Sequence, residues 1–584
     1  MLGLMNEDTA KGAIDRGPGP GWKPAVVIVA IALVIRFVPG WVAPMTMAHF
    51  IGLGVGPLVG ILGLLVWWVF SKRLPRRDKW LGLAMGLLVL VAGFALSHPT
   101  MPQVLVMYGL VLLMVAFAAT LFLTRSKPWT DRRWILLLVW GLVFLPWLAL
   151  RQDGQTGALA PELSARWRPT PEEMFLEDRA AAARNGVAPV ATTAGSDWPG
   201  YRGPARDGHA RGVTFASDWG KQPPREIWRR RVGPGWSSFA VVGDLVFTQE
   251  QRGAEDVVVC YSLTDGSEIW AHGVPERFEE PASGAGPRAT PTFSDGRVFA
   301  LTANSTLVSL DAATGDPHWQ RNLIEELGAA LPTWAFSGSP LVLGRAVLVF
   351  AGAEDGQSVA AYDRDTGERL WSSGTGTMSY GSPHPAVLDG VEQVLMSTDA
   401  GLQAFDPQSG DVLWEHAWPL TGMARIVQPV VLDDGKSLIL PTGYGEGSRR
   451  LNVERGAAGD WRVEEVWSTL SLKPYFNGLV CHRGTCFGFD GRIFTAIGAD
   501  DGERRWKGGR YGHGQVVLLD DMDLLLVLTE KGDVVLVEAT PEAHREVARL
   551  PALAGKTWNH PVISQGRLLV RNAEEAACYE LGAA

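Results

Sequence analysis

Long apolar stretches fill the start of the chain, and their length predicts helices that cross a membrane. Four uncharged stretches occupy residues 50–70, 80–96, 103–123 and 134–150. Each is close to the ~20 residues that a helix needs to cross ~30 Å of hydrocarbon. Residues 24–44 form a fifth stretch of similar length, which contains Arg36, a charge that must be paired or must snorkel to the interface. The pattern predicts a bundle of about five membrane spans within residues 1–150.

After residue 196 the pattern changes to short alternating runs separated by turn residues, and it repeats. The segment AYDRDTGERLW at residues 361–371 recurs with the same spacing as SLDAATGDPHW, AFDPQSGDVLW, CYSLTDGSEIW and AIGADDGERRW. Looser copies end at Trp228 and Trp467, so that the seven motif tryptophans, from residue 228 to residue 506, have a mean spacing near 46. A repeat of this length with four short strands is typical of one blade of a β-propeller.

The repeated residues are expected to build the blades and not a binding site. Asp311, Asp363 and Asp406 stand where a carboxylate can accept hydrogen bonds from the backbone of the following turn. The motif glycine accepts a positive φ, and the motif tryptophan can fill the wedge between neighbouring blades.

The number of blades follows from how the ring closes. After Trp506 the chain holds one further unit, residues 515–550, and three strands between residues 560 and 581. Residues 225–232 can supply the missing fourth strand, so that the two ends of the propeller segment complete one blade and leave no open sheet edge. The predicted fold is a membrane α-helical bundle followed by an all-β eight-bladed propeller, and a ring of seven blades is the alternative.

The predicted domains are a membrane anchor at residues 1–150, a linker at 151–196 and the propeller at 197–584. The linker contains one predicted helix. Thr170 is a suitable N-cap, Pro171 suits the first helical position, and Glu172 and Glu173 favour the positive end of the helix dipole.

Charge separates the two halves and orients the first. Residues 1–150 carry 13 Lys and Arg against 5 Asp and Glu, whereas the remaining residues carry 40 against 57. The loops KRLPRRDK and TRSKPWTDRR hold the cations, so both are expected in the cytoplasm. The N-terminus is then cytoplasmic, and the propeller lies in the periplasm of a bacterial cell, attached to the cytoplasmic (inner) membrane. The acidic second half excludes nucleic acid as a partner.

Candidate binding residues lie in the eight loops that lead into the innermost strands, here called the inner loops, which converge at one mouth of the ring. They are Trp236, Arg288, Trp334, Tyr380, Arg425, Tyr475, Asn477, Tyr511, His513, Trp558, Asn559 and His560, with further charge from Lys473, Arg510 and Lys556. None of these loops contains Asp or Glu. A cationic, aromatic rim suits a planar or anionic ligand. In the alternative interpretation the aromatic rings fill the channel and the cations are exposed at its rim.

The motif AxDxxTGxxxW, complete at residues 361–371, resembles the repeat of the pyrroloquinoline quinone (PQQ) propeller superfamily. That superfamily includes quinoprotein dehydrogenases and a non-enzymatic outer-membrane assembly lipoprotein. The segments DWPGYRGPARDG, GRYGHGQ and TWNHPV are similar to those of bacterial PQQ-like repeat proteins. Five spans before such a propeller also resemble the layout of membrane-bound quinoprotein glucose dehydrogenase.

The resemblance implies two functions. One is a non-catalytic module that binds a ligand or assembles periplasmic or membrane proteins. The alternative is a dehydrogenase of sugars or alcohols that holds PQQ with calcium and passes electrons to ubiquinone. In the dehydrogenases, carboxylate and amide oxygens hold the calcium and an Asp acts as base, whereas the acidic residues of this face, Glu354, Asp399, Asp490, Glu530 and Glu574, match no family site motif. The scattered histidines predict no metal site, and no catalytic residue is assigned.

The four cysteines predict one disulfide. In GLVCHRGTCFGF, Arg483 and Gly484 form a two-residue hairpin turn, which places Cys481 directly opposite Cys486 at a distance that a disulfide accepts. Cys260 and Cys578 occupy the small position of the repeat motif in the first and last blades. They are expected to be buried, too far apart to pair, and reduced.

Overall fold

The computed structural model describes residues 19–44, 46–181 and 196–583. The chain divides into two compact units, Met1–Arg168 and Pro169–Ala584. The predicted cytoplasmic N-terminus at residues 1–18 and the linker segment 182–195 lie outside the described residues.

The first unit contains five helices that are long and apolar enough to cross a membrane. They are α1 (Trp22–Val42), α2 (Met47–Phe70), α3 (Arg76–Leu96), α4 (Pro102–Leu123) and α5 (Trp129–Ala149). Arg36 in α1 is only 5% exposed, and its guanidinium lies 5.4 Å from the centre of the Tyr108 ring. A cation–π contact therefore partners the charge in the middle of the first span.

Two short elements separate the helices from the ring. The strands Leu150–Gln155 and Pro161–Ala165 form an antiparallel hairpin in the first unit. Helix α6 (Pro171–Ala181) begins with a capping box, in which Thr170 Oγ1 accepts from the Glu173 backbone N–H and Glu173 Oε2 accepts from the Thr170 N–H. Glu172 forms an ion pair with Arg277 at 3.0 Å, so α6 is fixed to the propeller.

The second unit is a ring of eight four-stranded blades, as the repeat predicts. The strands of blades 1 to 4, from the axis outward, are Ala240–Val242, Leu245–Arg252, Glu255–Ser262 and Glu268–Val274; Thr292–Ser294, Arg297–Leu301, Thr306–Asp311 and Pro317–Asn322; Leu341–Leu343, Ala346–Ala353, Gln357–Asp363 and Arg369–Ser373; His384–Leu388, Val391–Ser397, Gly401–Phe405 and Val412–Ala417. The strands of blades 5 to 7 are Val430–Val431, Ser437–Thr442, Gly447–Arg455 and Trp461–Thr469; Val480–His482, Thr485–Asp490, Ile493–Gly498 and Arg504–Lys507; Gln515–Leu519, Leu524–Leu528, Asp533–Glu538 and Glu546–Pro551.

Blade 8 closes the ring. It combines Val562–Ser564, Arg567–Arg571 and Glu575–Glu580 with the strand Arg225–Arg231 from the start of the propeller. A short helix α7 (Leu323–Leu327) follows blade 2. The small strands Glu279–Glu280 and Gly284–Ala285 pair with each other between blades 1 and 2. The predicted closure by both ends of the segment is confirmed.

The motif residues join each blade to the next. Asp363 Oδ1 accepts hydrogen bonds from the backbone of Asp365 and Thr366, which fixes the turn that Gly367 completes with a φ of 70°. The ring of Trp319 from the preceding blade packs on Gly367, and its indole N–H donates to the Arg364 carbonyl at 3.0 Å. The same tryptophan hydrogen bond to the next blade recurs from Trp228, Trp270, Trp371, Trp467 and Trp506.

The cysteines are arranged as the hairpin register suggests. Cys481 and Cys486 are directly opposite in blade 6, with a disulfide of 1.97 Å between their sulfurs and 4.0 Å between their Cα atoms. Cys260 and Cys578 are buried free thiols, and burial raises the pKa of Cys578 to about 12.

Candidate functional site

The inner loops of blades 1 to 4 are joined by a belt of hydroxyl groups along half of the channel. The backbone N–H of Ser238 donates to Thr290 Oγ1 at 3.0 Å, that of Thr290 to Ser339 Oγ at 2.9 Å, and that of Ser339 to Ser382 Oγ at 2.8 Å. These four residues occupy equivalent positions in blades 1 to 4. The belt fixes the loops relative to one another, so the side chains that they carry toward the channel mouth are held by backbone contacts.

A segment before the first blade closes the other end of the channel. Residues 197–212, here called the plug, follow the face of the ring opposite the inner loops. Trp198 bridges to Val241 of blade 1, and His209 and Ala210 add a short parallel strand to blade 7. Arg206 of the plug also contacts blade 3, which lies opposite blade 7 in the ring, so the plug reaches across the axis.

Two buried arginines of the plug lie at the axis. Arg206 donates to the carbonyls of Ser339 and Pro340 at 2.9 and 2.7 Å, and Arg202 donates to the Leu479 carbonyl at 2.6 Å. Burial lowers the pKa of Arg206 to about 10, and burial together with both guanidiniums lowers the pKa of His384 to about 3. The floor of the channel therefore carries positive charge next to a neutral histidine.

The open mouth of the channel is here called the funnel. An arc of aromatic rings lines it. The ring centres of Trp236 and Trp558 are 4.7 Å apart, and Phe476 continues the arc 5.1 Å from Trp558. His513 lies 5.5 Å from Phe476, and Tyr475 lies 5.3 Å from it. Blades 1, 6, 7 and 8 thus contribute to one surface of mutually tilted rings.

Further groups extend the arc on both sides. Tyr444 meets Tyr475 edge-on at 5.1 Å, and Trp334 and Tyr380 form a separate pair at 5.3 Å. The Lys556 ammonium lies 4.8 Å from the centre of Trp558. Of these residues, Tyr444 and Phe476 were not selected from the sequence, because Phe476 resembles an ordinary core residue and Tyr444 lies in a loop outside the inner set.

His513 is the most unusual member of the arc. It is fully buried, and neither of its ring nitrogens has a hydrogen-bond partner among the described residues. Burial lowers its pKa to about 4, so the ring is neutral near pH 7. A buried, unsatisfied polar group costs free energy, so it marks a place where a ligand or an ordered water can bind.

The expectation of exposed cations at the rim is wrong for Arg288 and Arg425. The Arg288 side chain is 8% exposed and donates to the Gly286 carbonyl at 2.6 Å. Arg425 is 1% exposed and donates to Thr398 and Trp418 carbonyls and to Thr442 Oγ1. Both guanidiniums fold back and donate hydrogen bonds to backbone carbonyls. A charged residue in a loop is therefore not exposed when its own loop and its neighbours supply buried acceptors.

Carboxylates from outside the inner loops approach the residues that these loops carry. Glu280, which precedes its inner loop in sequence, lies 3.6 Å from Arg288. Glu530 accepts from the Trp558 indole N–H at 3.1 Å and from the His513 backbone N–H at 3.2 Å. Both carboxylates are therefore engaged within the loops that they support.

Other residues selected from the sequence connect blades. Asn477 donates to the Gly514 carbonyl at 2.6 Å, and Asn559 donates to the Ser237 carbonyl at 2.7 Å, each across a blade boundary. The His560 ring faces Tyr201 of the plug, 3.3 Å from its hydroxyl.

Three residues of the set lie apart from the arc. Tyr511 packs between blades, where its hydroxyl meets Glu546 at 2.8 Å. Lys473 pairs with Asp490 at 2.6 Å, and Arg510 is exposed.

The donor set does not fit a calcium-bound quinone. Calcium requires six to eight oxygen ligands, usually with several carboxylates. In the described ranges no three His, Cys, Asp or Glu side chains converge closely enough to hold a metal ion. Glu280 and Glu530, the carboxylates nearest the arc, are occupied by the contacts given above.

Comparison with known proteins finds a family match within the propeller. The profile described as outer membrane protein assembly factor BamB matches residues 222–333 and 254–484, a little under half of the chain. Together with the Asp–Gly–Trp repeat and the eight closed blades, this match identifies the repeats as PQQ-like. The chain carries, in addition, five N-terminal helices that could span a membrane.

The curated relatives of this PQQ-like propeller are enzymes, matched over part of their length. Quinoprotein alcohol dehydrogenase PedH of Pseudomonas putida is 26% identical over 209 residues, which cover 33% of this chain and 31% of the enzyme. Quinohemoprotein alcohol dehydrogenase of Comamonas testosteroni is 37% identical over 79 residues, 13% of this chain and 11% of the enzyme. The chain thus matches less than a third of either relative.

Solved structures of similar shape come from both functional classes. BamB of Moraxella catarrhalis has a TM-score of 0.44 at 17% identity and is matched over 61% of this chain and 97% of its own. A europium-containing methanol dehydrogenase has a TM-score of 0.49 at 13% identity and is matched over 65% and 90%. These structures are similar to the propeller in fold.

Proposed function

We propose that this protein is a membrane-anchored propeller in the periplasm that binds a partner at its funnel without catalysing a reaction. The observation that carries the proposal is the aromatic arc around His513, a buried ring with no hydrogen-bond partner among the described residues. Aromatic rings beside Lys556 suit a planar or anionic group, either of a small ligand or of a protein segment.

The engaged carboxylates support a binding role over a catalytic one. A general base must reach the proton that it removes, within about 2.6–3.2 Å. Glu530 instead accepts from Trp558 and from the His513 backbone, and Glu280 is next to Arg288. Each carboxylate is thus held by contacts within the loops that it supports.

The assembly-factor match supports a protein segment as the partner. A photoreactive benzoylphenylalanine at position 558 tests this in cells, and the same residue at Leu370, which is 48% exposed on an outer strand, is the matched control. We expect a discrete adduct at 558 that is absent at 370 and is lost when Trp236→Ala is added. Equal adducts at both positions would contradict a specific site.

Loop charge supports the location. The cation-rich loops at residues 71–79 and 124–133 favour the cytoplasm, which leaves the chain after α5 on the other side of the inner membrane. Alkaline phosphatase fused after Ala584 should be active, and the same enzyme fused after Lys79 should be silent. The reverse pattern would overturn the periplasmic location.

The alternative is a membrane-bound quinoprotein dehydrogenase of sugars or alcohols that reduces ubiquinone, and the sequence similarity to PedH favours it. The test adds PQQ with calcium, and separately with a lanthanide, to the purified full chain. We expect no quinone absorbance retained after gel filtration and no reduction of an artificial acceptor. Bound quinone with substrate-dependent reduction would replace the binding-module proposal by the enzyme.

A further inference from the structure

The helical unit contains a cleft that the propeller's role does not explain. The cleft has a volume of about 670 Å³ and lies between α3 and α5, with α2 and α4 behind it. Its walls include Trp68, Leu90, Phe117 and Trp140. This volume is within the range of small-molecule sites and is too small for a further helix of ~10 Å diameter.

Two glycines of α3 help to form the cleft. A Cβ on Gly82 would lie 2.4 Å from the Trp68 ring, and one on Gly86 would lie 3.1 Å from the Trp140 ring. The indoles therefore lie directly on the helix backbone. Large exposed side chains, including Leu87 at 63%, flank the opening, so the cleft faces the hydrocarbon when the helices are in a bilayer.

The mouth of the cleft carries an excess of positive charge. Arg77, Asp78 and Arg133 line it, which gives two cations and one carboxylate. Asp78 is 6% exposed and accepts from the Trp129 indole at 2.6 Å and from Arg133 at 3.4 Å. Because both carboxylate oxygens already accept hydrogen bonds, the mouth presents mainly donors.

A second donor lies deeper in the cleft. The indole N–H of Trp140 is buried and has no hydrogen-bond partner in the part of the chain that the structure describes, and the same holds for Nε of Arg133. Trp140 follows Arg133 by seven positions, which puts them on one face of α5 about 10 Å apart along its axis. A ligand that satisfies both needs acceptors at two depths.

We infer that this cleft binds one phospholipid with an anionic phosphate headgroup. The phosphate meets Arg77 and Arg133, an ester carbonyl accepts from Trp140, and an acyl chain fills the apolar walls. A phospholipid supplies acceptors at both depths and a negative charge for the cationic mouth. A neutral quinone lacks the charge, and inorganic phosphate lacks the chain. The inference rests on the membrane insertion proposed above.

The test titrates the delipidated full chain in detergent with dioleoylphosphatidylglycerol and dioleoylphosphatidylcholine and counts bound lipid by native mass spectrometry. One excess cation near an anionic lipid corresponds to a preference of about fivefold for phosphatidylglycerol. Arg133→Gln and Arg77→Gln should each abolish the preference. Arg125 is exposed in the loop between α4 and α5 and does not line the cleft, so Arg125→Gln should retain the preference.

The deeper donor has its own pair of variants. Trp140→Phe should weaken the binding of both phospholipids two- to fivefold. Trp147 lies on the same helix outside the cleft, so Trp147→Phe should leave their binding unchanged. Equal affinity for the two phospholipids, or displacement of phosphatidylglycerol by equimolar decylubiquinone or by inorganic phosphate, would overturn the inference. Carbonate extraction separates the two claims, because a released protein refutes insertion, whereas a retained protein without lipid preference refutes only the lipid site.

Discussion

The contact between Gly367 and Trp319 gives the sharpest test of how the ring is held together. Gly367 has a φ of 70°, and a Cβ there would lie 2.6 Å from Trp319 Cδ2. Gly367→Ala therefore has two costs. The left-handed conformation costs an alanine roughly 1 kcal/mol. Displacing the indole also removes its hydrogen bond to Arg364, worth about 1 kcal/mol, and some packing. We expect a total loss of about 3 kcal/mol.

Gly344 in the same blade is the matched control. Its φ is 58°, and a Cβ there meets nothing within 4 Å. Gly344→Ala should therefore cost only the conformational part, about 1 kcal/mol. The difference between the two variants isolates the contact between blades.

Urea unfolding of the full chain in detergent, followed by tryptophan fluorescence, measures the difference. Both variants should keep the slope of the wild-type transition, and Gly367→Ala should shift its midpoint about three times as far as Gly344→Ala. Equal shifts would show that the tryptophan does not couple the blades, and the packing role assigned to the repeat would be wrong.

Three further predictions concern the funnel and its surroundings. The pKa of His513 is about 4 in the folded state and about 6.5 in the unfolded state. Because the unfolded state binds the proton more readily, the free energy of unfolding should fall by about 2 kcal/mol from pH 7 to pH 5. His513→Gln should lose this part of the pH dependence in the same urea assay. Arg425→Gln should cost about 2–4 kcal/mol because three buried acceptors lose their donor, whereas Arg510→Gln at an exposed site should leave the thermal midpoint unchanged. Cys481→Ser with Cys486→Ser should cost about 2 kcal/mol without unfolding the ring, and a non-reduced digest should contain the linked peptide only in the wild type.

The blades could be predicted from the sequence because their signals are local. Asp363 and Gly367 define a turn within five residues, and the tryptophan follows at a fixed spacing. Strand Arg225–Arg231 could be assigned to blade 8 because seven complete units left three strands without a fourth. Repetition made each weak local signal reinforce the others.

The site could be predicted only in outline. The inner loops and most of the aromatic arc follow from the blade register, but the burial of Arg425 does not, because its acceptors lie on a turn of blade 4, just after blade 4 and on a strand of blade 5. Arg202 illustrates the same limit. It reaches the Leu479 carbonyl across 277 positions of sequence, and no local pattern in a Gly- and Pro-rich segment indicates that contact.

The plug changes what the funnel can attract. Arg202 and Arg206 are held by backbone carbonyls, and Asp207, the nearest acidic residue of the plug, pairs with Arg211 at 2.7 Å. Carbonyl dipoles reduce the cost of burying the guanidiniums but do not cancel their charge, and inside the ring the low dielectric extends its range. His384 and His560 lie above the plug, and burial with the nearby Arg202 keeps the pKa of each well below its usual value, so neither adds a proton near pH 7. The fixed positive field of the floor and the Lys556 ammonium at the rim therefore act in the same direction. An anionic group entering the arc gains from both, whereas a cation of the same shape is repelled from below even where the aromatic faces would accept it.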